Sequence, residues 1–149
     1  MTSPTSRDPF GRGLVLSDGD LEFDGGALVE VDGIANLVQA LTLRILTPNG
    51  TDRFNTGYGL DVKQAFNTPN GVRMVKELLK LSLVSTLSSD PRVGEIRKVT
   101  FDDDPDLLAA NPDLRAQVLA AHNRRTWTVE VDLETVAGST VTLPVSLEV

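Results

Sequence analysis

The side chains that could carry chemistry in this chain are few. His122 is the only histidine, and the chain has no cysteine, which excludes a disulfide framework and a thiolate metal site. A Ser–His–Asp triad would have to use His122, but the sequence contains no Gly-x-Ser-x-Gly elbow that would present the serine. His122 precedes Asn123, Arg124 and Arg125 at the end of a predicted helix, where a cation complements the helix dipole. We therefore interpret His122 as a structural residue.

Two acidic segments are the remaining candidates for a metal or catalytic site. The segment "SDGDLEFDGG" places carboxylates at alternate positions, but Phe23 stands where a calcium loop requires glycine and no glutamate closes the loop. The segment "DDDPD" is typical of a solvated loop. Acidic residues are abundant enough for the carboxylate pair of a glycoside hydrolase, yet no pattern places one in an apolar pocket that would raise its pKa. The sequence predicts no metal, no cofactor and no catalytic residue.

The composition is that of a single acidic domain. The 149 residues are 40% hydrophobic and carry a net charge of −7, so they suffice for one hydrophobic core. Nucleic acid is not expected as the main partner, because phosphate contacts need a basic surface. No apolar run approaches the roughly 20 residues that cross a membrane, and "MTSPTSRDPFGRG" lacks the apolar core of a signal peptide. We expect a soluble protein, cytoplasmic when synthesised, with no membrane partner.

The first third of the chain predicts short strands and one helix. Residues 1–12 are rich in Ser, Pro and Gly and predict a flexible tail or an arm that orders on binding, so the single domain is expected to span residues 13–149. The segments "LVL", "DLEF" and "ALVEV" predict strands separated by "SDGD" and "DGG" turns. A helix follows in "DGIANLVQALTLRILTPNG", with Asp32 as its N-cap and with Pro48 and Gly50 at its end.

The middle of the chain predicts a second helix and a longer strand. A loop with one helical turn near residues 60–65 precedes "NGVRMVKELLKLSLVSTLSSD", which carries two apolar stripes at helical spacing. Two stripes indicate burial on more than one side, in the core or under a partner. "GEIRKVTF" predicts a strand, and residues 102–125 are acidic at first and helical from about Pro112. The residues predicted to be buried in the core are Leu37, Leu41, Ile45, Val75, Leu79 and Leu83.

The last 23 residues, "WTVEVDLETVAGSTVTLPVSLEV", predict a hairpin with one buried face and one wet face. A two-residue turn would place odd residues opposite even ones and mix the two faces. A three-residue loop at residues 136–138 pairs odd with odd and puts Gly138 where a left-handed conformation is needed. The predicted pairs are Leu133 with Val141, Val131 with Leu143, Val129 with Val145 and Trp127 with Leu147.

The order of the elements predicts an α+β fold. We expect a small single domain with a mixed or antiparallel sheet, two main helices and the C-terminal hairpin. A lone hairpin is marginal in water, so this one must pair with another strand. The strand "GEIRKVTF" is expected to cover one edge of the hairpin, which leaves the other edge for a partner.

Residues 11–101 and 126–149 together resemble a known family. The matching features are a "GDL" turn and strand, a strand ending in "DG", a helix with "NLVQAL" and "RILT", and then "GYG". Residues 90–92, "DPR", resemble the family's Glu-Pro-Arg motif, with Asp90 one methylene shorter than glutamate. The family is that of the small baseplate wedge proteins, or sheath initiators, of contractile phage tails, which are also labelled lysozyme-like. It occurs as well in R-type bacteriocins, extracellular contractile injection systems and type VI secretion.

The resemblance implies a structural role without catalysis. Members of this family sit at the inner baseplate in a six-fold assembly, and their hairpin resembles the handshake domain of the sheath subunit. The first sheath ring assembles on them by strand exchange, with main-chain hydrogen bonds supplying affinity. The implied partners are the sheath protein and other wedge proteins, and contact with the inner tube or a tube initiator is allowed. The residues expected to dock the sheath strand are Thr126, Thr128, Glu130, Asp132, Glu134, Thr140, Thr142, Pro144, Ser146 and Glu148.

The motif at residues 90–92 has two interpretations. In the first, Pro91 ends the second helix and Arg92 projects its planar fork onto another wedge protein, so Asp90, Pro91 and Arg92 form a wedge-binding site. In the second, Asp90 orients Arg92 within the chain. The first interpretation predicts that Arg92→Ala leaves folding intact.

Two other classes of function stay open from the sequence. Because members of the family have been labelled lysozyme-like, a peptidoglycan-degrading enzyme of a phage tail is one alternative, which a cell-wall turbidity assay would reveal. A soluble adaptor unrelated to tails is the other. Neighbouring genes for sheath, tube and spike would separate the adaptor from the baseplate protein.

Overall fold

The computed structural model describes residues 8–66, 69, 71–123 and 126–148. It confirms the α+β class, with two long helices and an antiparallel C-terminal sheet. The strands are β1 (Arg12–Leu14), β2 (Leu16–Ser17), β3 (Asp20–Leu21), β4 (Phe23–Asp24), β5 (Ala27–Leu28), β6 (Glu30–Asp32), β7 (Val93–Phe101), β8 (Thr126–Thr135) and β9 (Thr140–Glu148). The helices are α1 (Gly33–Leu46), α2 (Lys63–Phe66), α3 (Val72–Ser88), α4 (Pro105–Ala110) and α5 (Leu114–Asn123).

The six short strands at the start of the chain form three two-stranded ladders around one junction. β1 pairs with β6, β2 with β3 and β4 with β5, all antiparallel. Val15, Glu22 and Val29 close the junction in a ring of three backbone hydrogen bonds of 2.9–3.2 Å. The predicted "SDGD" and "DGG" turns are confirmed as two-residue loops with positive φ at both positions, which explains their Asp-Gly and Gly-Gly sequences.

Residues 8–12 belong to the fold, so the predicted tail boundary at residue 12 is too late. Phe10 is buried in the core, and its carbonyl accepts a hydrogen bond from Asn36 Nδ2 at 2.8 Å. Asp8 Oδ2 accepts from Gly33 N, at the start of α1, at 2.7 Å. Asp32 occupies the N-cap position as predicted, but its side chain makes no capping hydrogen bond, and Asp8 supplies the carboxylate instead. Residues 1–7 lie outside the described part of the chain.

Asp8→Ala is expected to lower the free energy of unfolding by about 1 kcal/mol, because a free helix N-terminal N–H loses its acceptor. Urea unfolding followed by circular dichroism measures this change. Asp32→Ala is the matched control, since it removes a carboxylate from the same helix end without removing the bond to Gly33, and it should cost less than about 0.5 kcal/mol. Equal losses in the two variants would contradict the capping role of Asp8.

The core lies between the C-terminal sheet and two helices. The sheet order is β7-β8-β9, with α3 against β7, α1 against β9, and α1 in contact with α3. The six residues predicted to be buried are confirmed, with exposed fractions of 0–8%. Alternation in the sheet and helical spacing in α1 and α3 bring their apolar faces together. We infer that truncating any of them would leave a cavity.

The second apolar stripe of α3, which consists of Met74, Leu78, Leu81 and Val84, lies largely outside this core. Met74, Leu81 and Val84 are 53%, 66% and 38% exposed, and Leu78 packs against the core only in part. Of the two explanations for the double stripe, burial in the core is therefore wrong for these three residues.

The segment that follows β7 is more ordered than a solvated acidic loop. Asp102 Oδ2 accepts from Thr128 N at 3.0 Å, Asp103 contacts Lys76, and Asp104 caps α4. Lys76 Nζ also lies 5.5 Å from the ring centroids of both Phe101 and Trp127. These contacts tie Asp102 to β8 and Asp103 to α3. The helical stretch predicted from Pro112 is confirmed as α5, with α4 preceding it.

None of the helices in the described residues is long and apolar enough to cross a membrane.

Candidate functional site

The terminal hairpin has the predicted register. The four predicted pairs, from Leu133 with Val141 to Trp127 with Leu147, are all present. The loop is residues 136–138, closed by a hydrogen bond from Thr135 N to Ser139 O at 2.9 Å. Gly138 has a φ of 79°, which is the left-handed conformation that the third loop position requires. Period-two patterning and loop length together therefore determine this hairpin.

The hairpin is buried on one face and exposed on the other. On β9, Val141, Leu143, Val145 and Leu147 are buried, while the alternate residues are exposed. The bond between Thr135 and Ser139 sets the odd residues as the hydrogen-bonded pairs. The even residues of β9 therefore turn their backbone groups away from β8.

The outer side of β9 is a free strand edge in the part of the chain that the structure describes. β7 covers the β8 side of the hairpin, as predicted, and β9 ends the sheet. The edge runs over nine residues, long enough for a partner strand to add along it. Five residues of the predicted docking set lie along this edge: Thr140, Thr142, Pro144, Ser146 and Glu148.

Four of the other five residues of the predicted docking set do not present a free edge. Glu130, Asp132 and Glu134 lie opposite Thr100, Lys98 and Glu95 of β7 in the sheet register. Thr128 exchanges hydrogen bonds with Asp102, and Thr126 lies beyond the last paired residues of β7. Backbone docking is therefore wrong for Thr128, Glu130, Asp132 and Glu134, because those groups bond within the chain. Their side chains remain on the outer face of the sheet.

Pro144 interrupts the free edge at its middle. It lies opposite Glu130, in a pair that is not hydrogen-bonded, so its missing N–H belongs to the outer side of β9. The proline costs the β8–β9 ladder nothing, which is how proline is tolerated on edge strands. It removes one donor from the edge that another copy of β9 would use.

Pro144→Val is expected to increase self-association of the free protein, because it restores an N–H to an exposed edge. Size-exclusion chromatography at rising concentration measures this change. Ser146→Val is the matched control: it adds the same side chain to the same edge without adding a donor, so it should remain monomeric. A Pro144→Val variant that stays monomeric at high concentration would mean that Pro144 does not guard the edge.

The turn at residues 90–92 joins α3 to β7. α3 ends at Ser88, before Pro91 as predicted, and Asp90 N donates to Leu87 O at 3.1 Å. Arg92 N donates to Asp90 Oδ1 at 3.0 Å, which closes the turn.

Arg92 directs its guanidinium into the chain. Nε and Nη2 donate to the two carboxylate oxygens of Asp90 at 2.9 and 2.8 Å, and Nη1 donates to Phe10 O at 3.1 Å. The Asp90 side chain is 7% exposed and that of Arg92 is 25% exposed. Their hydrogen bonds lower the pKa of Asp90, although burial opposes this effect, and raise the pKa of Arg92. These contacts are the ones that the intramolecular interpretation of the motif predicts, in which Asp90 orients Arg92 within the chain.

The wedge-binding role of Asp90, Pro91 and Arg92 stays a prediction. The planar fork of Arg92 is already engaged by Asp90, so a partner could reach only its partly exposed rim. The signal that the sequence offered for the intramolecular pair was an aspartate two residues before an arginine, which is too common to distinguish the two roles.

The other candidate chemistry is dispersed. Asp18, Asp20 and Asp24 lie in two separate short hairpins, and the described residues contain no group of three or more side chains that could hold a metal ion. The side chain of His122 lies outside the described part, so its interpretation stays a prediction.

Comparison of the chain with protein-family models, with curated proteins and with solved structures found no match. The family resemblance of the sequence therefore stays a hypothesis.

Proposed function

We propose that this chain is a structural protein of the inner baseplate of a contractile injection machine, present there in a six-fold assembly. It links the baseplate wedge to the sheath and nucleates the first sheath ring by accepting a sheath strand on β9. The sheath protein and other wedge proteins are its partners, and the chain performs no catalysis in this role.

The observation that carries this proposal is the free edge of β9. Proteins normally shorten, charge or cover such edges because they recruit other strands. Here the edge belongs to a long, regular strand whose inner face is anchored in the core. Main-chain groups along a rigid edge can bind an extended segment at little conformational cost to the protein. A strand-accepting adaptor fits this arrangement.

The direct test is removal of the protein from the particle. In the host that encodes the chain, deletion of its gene is expected to give tubes and baseplates without sheath in negative-stain electron micrographs. Expression of the chain in trans should restore sheathed particles. Normal sheathed particles in the deletion strain would refute the role.

The lysozyme-like alternative requires a carboxyl group with a raised pKa to act as general acid. Asp90 is the most buried carboxylate among the described residues, and its pKa is lowered by Arg92. This is the opposite of what a general acid requires. Purified protein is expected to leave the turbidity of a cell-wall suspension unchanged, and steady clearing would instead support the enzyme.

A further inference from the structure

We propose that the strand that pairs with β9 is amphipathic. Its inner face carries apolar side chains, one of which fills a cavity at the C-terminal end of β9, and its outer face carries lysine or arginine. This inference rests on the docking role proposed for β9, and it specifies the chemistry of the partner.

The cavity lies beside the last residues of β9. Its volume is ≈ 490 Å³, enough for a large apolar side chain. Residues 146–148 of β9 form one wall, together with Thr126. The opposite wall is apolar and comes from the end of α1 and the loop after it: Ile45, Leu46, Pro48, Leu60 and Val62.

The apolar wall is held in place by the core. Ile45 and Leu60 are 3% exposed, and Leu60 N donates to Thr47 O at 2.8 Å. Leu46, in contrast, is 56% exposed. Arg44 on the same helix contacts Ser89 of α3. Positions two residues apart lie on nearly opposite sides of a helix, so Leu46 lies on the side of α1 opposite to Arg44. The exposed apolar surface of Leu46 is therefore turned away from α3 and lies in the cavity wall next to β9.

The side chains of an added strand alternate between the two faces of the sheet. Residues of the added strand that lie opposite Val145 and Leu147 point to the same side of the sheet as these two residues. This is the side on which α1 and the cavity lie. An apolar side chain there would cover Leu46 and extend the core by one strand. The inner face of the partner should therefore be apolar.

The outer face near the β9 edge is acidic. Glu130 lies opposite Pro144, and Glu148 is the last described residue of β9. Among the described residues, no lysine or arginine lies within ion-pair distance of either carboxylate. A partner with cationic side chains on this face would meet two carboxylates that have no ion-pair partner among the described residues, which favours its binding and its orientation.

Other occupants fit less well. A second copy of β9 would bring together two chains that each carry a net charge of −7, and Pro144 withholds a donor at the middle of such a pair. Residues 1–7, "MTSPTSR", offer only one large apolar side chain, Met1, to fill an apolar cavity.

Synthetic peptides test the inference on the full-length chain. The first probe is a fluorescent nine-residue peptide with leucine or valine alternating with lysine and threonine. The second carries glutamate in place of lysine, and the third is a scramble of the first. Fluorescence polarisation gives the Kd of each, and hydrogen exchange reports protection of the Thr142 and Ser146 amides.

The lysine peptide is expected to bind at least about tenfold more tightly than the other two at low salt, with the margin over the glutamate peptide shrinking as salt screens the charges. Leu46→Asp should weaken its binding by about tenfold. Leu81→Asp, at an exposed leucine of α3, is the matched control and should leave the Kd unchanged. Glu130→Lys combined with Glu148→Lys should reverse the preference toward the glutamate peptide.

Four results would overturn the inference. These are equal binding of the lysine and glutamate peptides, full affinity in Leu46→Asp, dimerisation through β9 without peptide, and tighter binding after removal of Val149, which would mean that Val149 fills the cavity itself.

The particle experiment is independent of these peptides. If sheath assembly requires the chain but the peptides are not distinguished, the inference fails and the proposed function stands. If the peptides are distinguished but sheath forms without the chain, the amphipathic partner is another protein.

Discussion

Arg92→Ala is expected to lower the free energy of unfolding by about 3 kcal/mol, the largest stability change we expect from one surface-proximal side chain. The variant leaves Asp90 as a buried carboxylate without its two guanidinium hydrogen bonds. Removing one partner of a buried ion pair is strongly destabilising because the remaining charge is uncompensated. Phe10 O also loses one of its two donors, which loosens residues 8–12 against α1.

Urea unfolding at pH 7 measures this loss. Arg97→Ala is the matched control, because Arg97 pairs with Glu134 on the exposed side of the sheet and such pairs contribute at most about 1 kcal/mol. A stable Arg92→Ala protein that fails to join baseplates would contradict the intramolecular role and restore the wedge-binding interpretation.

The effect of Arg92→Ala should depend on pH in a defined direction. The pKa of Asp90 is lowered in the folded protein, so its pairing stabilises the fold above the ordinary carboxyl pKa of about 4. This stabilisation is lost as the pH falls through the lowered pKa of the folded state. The difference in unfolding free energy between natural protein and variant should therefore be greatest near neutral pH and should narrow below about pH 4. A constant difference down to the lowest pH at which both remain folded would exclude Asp90 as its source.

Local sequence patterns predicted the parts of the fold that depend on short-range periodicity. The hairpin register followed from alternation and from the three-residue loop before Gly138, and the burial of Leu41 and Leu83 followed from helical spacing. The fold class followed from the order of the elements, and the cover of β7 over β8 from the marginal stability of a lone hairpin.

The features that were missed depend on contacts between distant segments. Asp8 reaches the start of α1, 25 residues away, and Arg92 bonds to Phe10 across 82 residues. The sequence around Phe10 is polar and contains Pro and Gly, so local composition indicated a tail. The docking set was overextended because alternation identifies the exposed side chains of both strands, whereas only the strand order shows which backbone edge is free.

The second large effect concerns that edge. Thr142→Pro combined with Ser146→Pro is expected to abolish sheath attachment while the protein still folds. Both residues occupy even positions, so each substitution removes an outward N–H, as Pro144 already does, and leaves the odd residues bonded to β8. Three alternate prolines would leave no outward donor between residues 141 and 147. Because main-chain hydrogen bonds supply the affinity of an added strand, the sheath should no longer nucleate.

The control variant, Thr142→Val with Ser146→Val, changes the same two side chains but keeps their N–H groups. Deletion of β9 is unsuitable as a test, because Val141, Leu143, Val145 and Leu147 belong to the core and their loss would unfold the domain. Thermal unfolding by circular dichroism should confirm that both double variants are folded.

The most direct measurement of the docking role is the fraction of sheathed particles, counted by negative-stain electron microscopy, when each double variant replaces the natural chain in the host that produces the particle. We expect the valine variant to give sheathed particles and the proline variant to give tubes on baseplates without sheath. Sheathed particles at the natural frequency from a folded proline variant would contradict strand addition to β9.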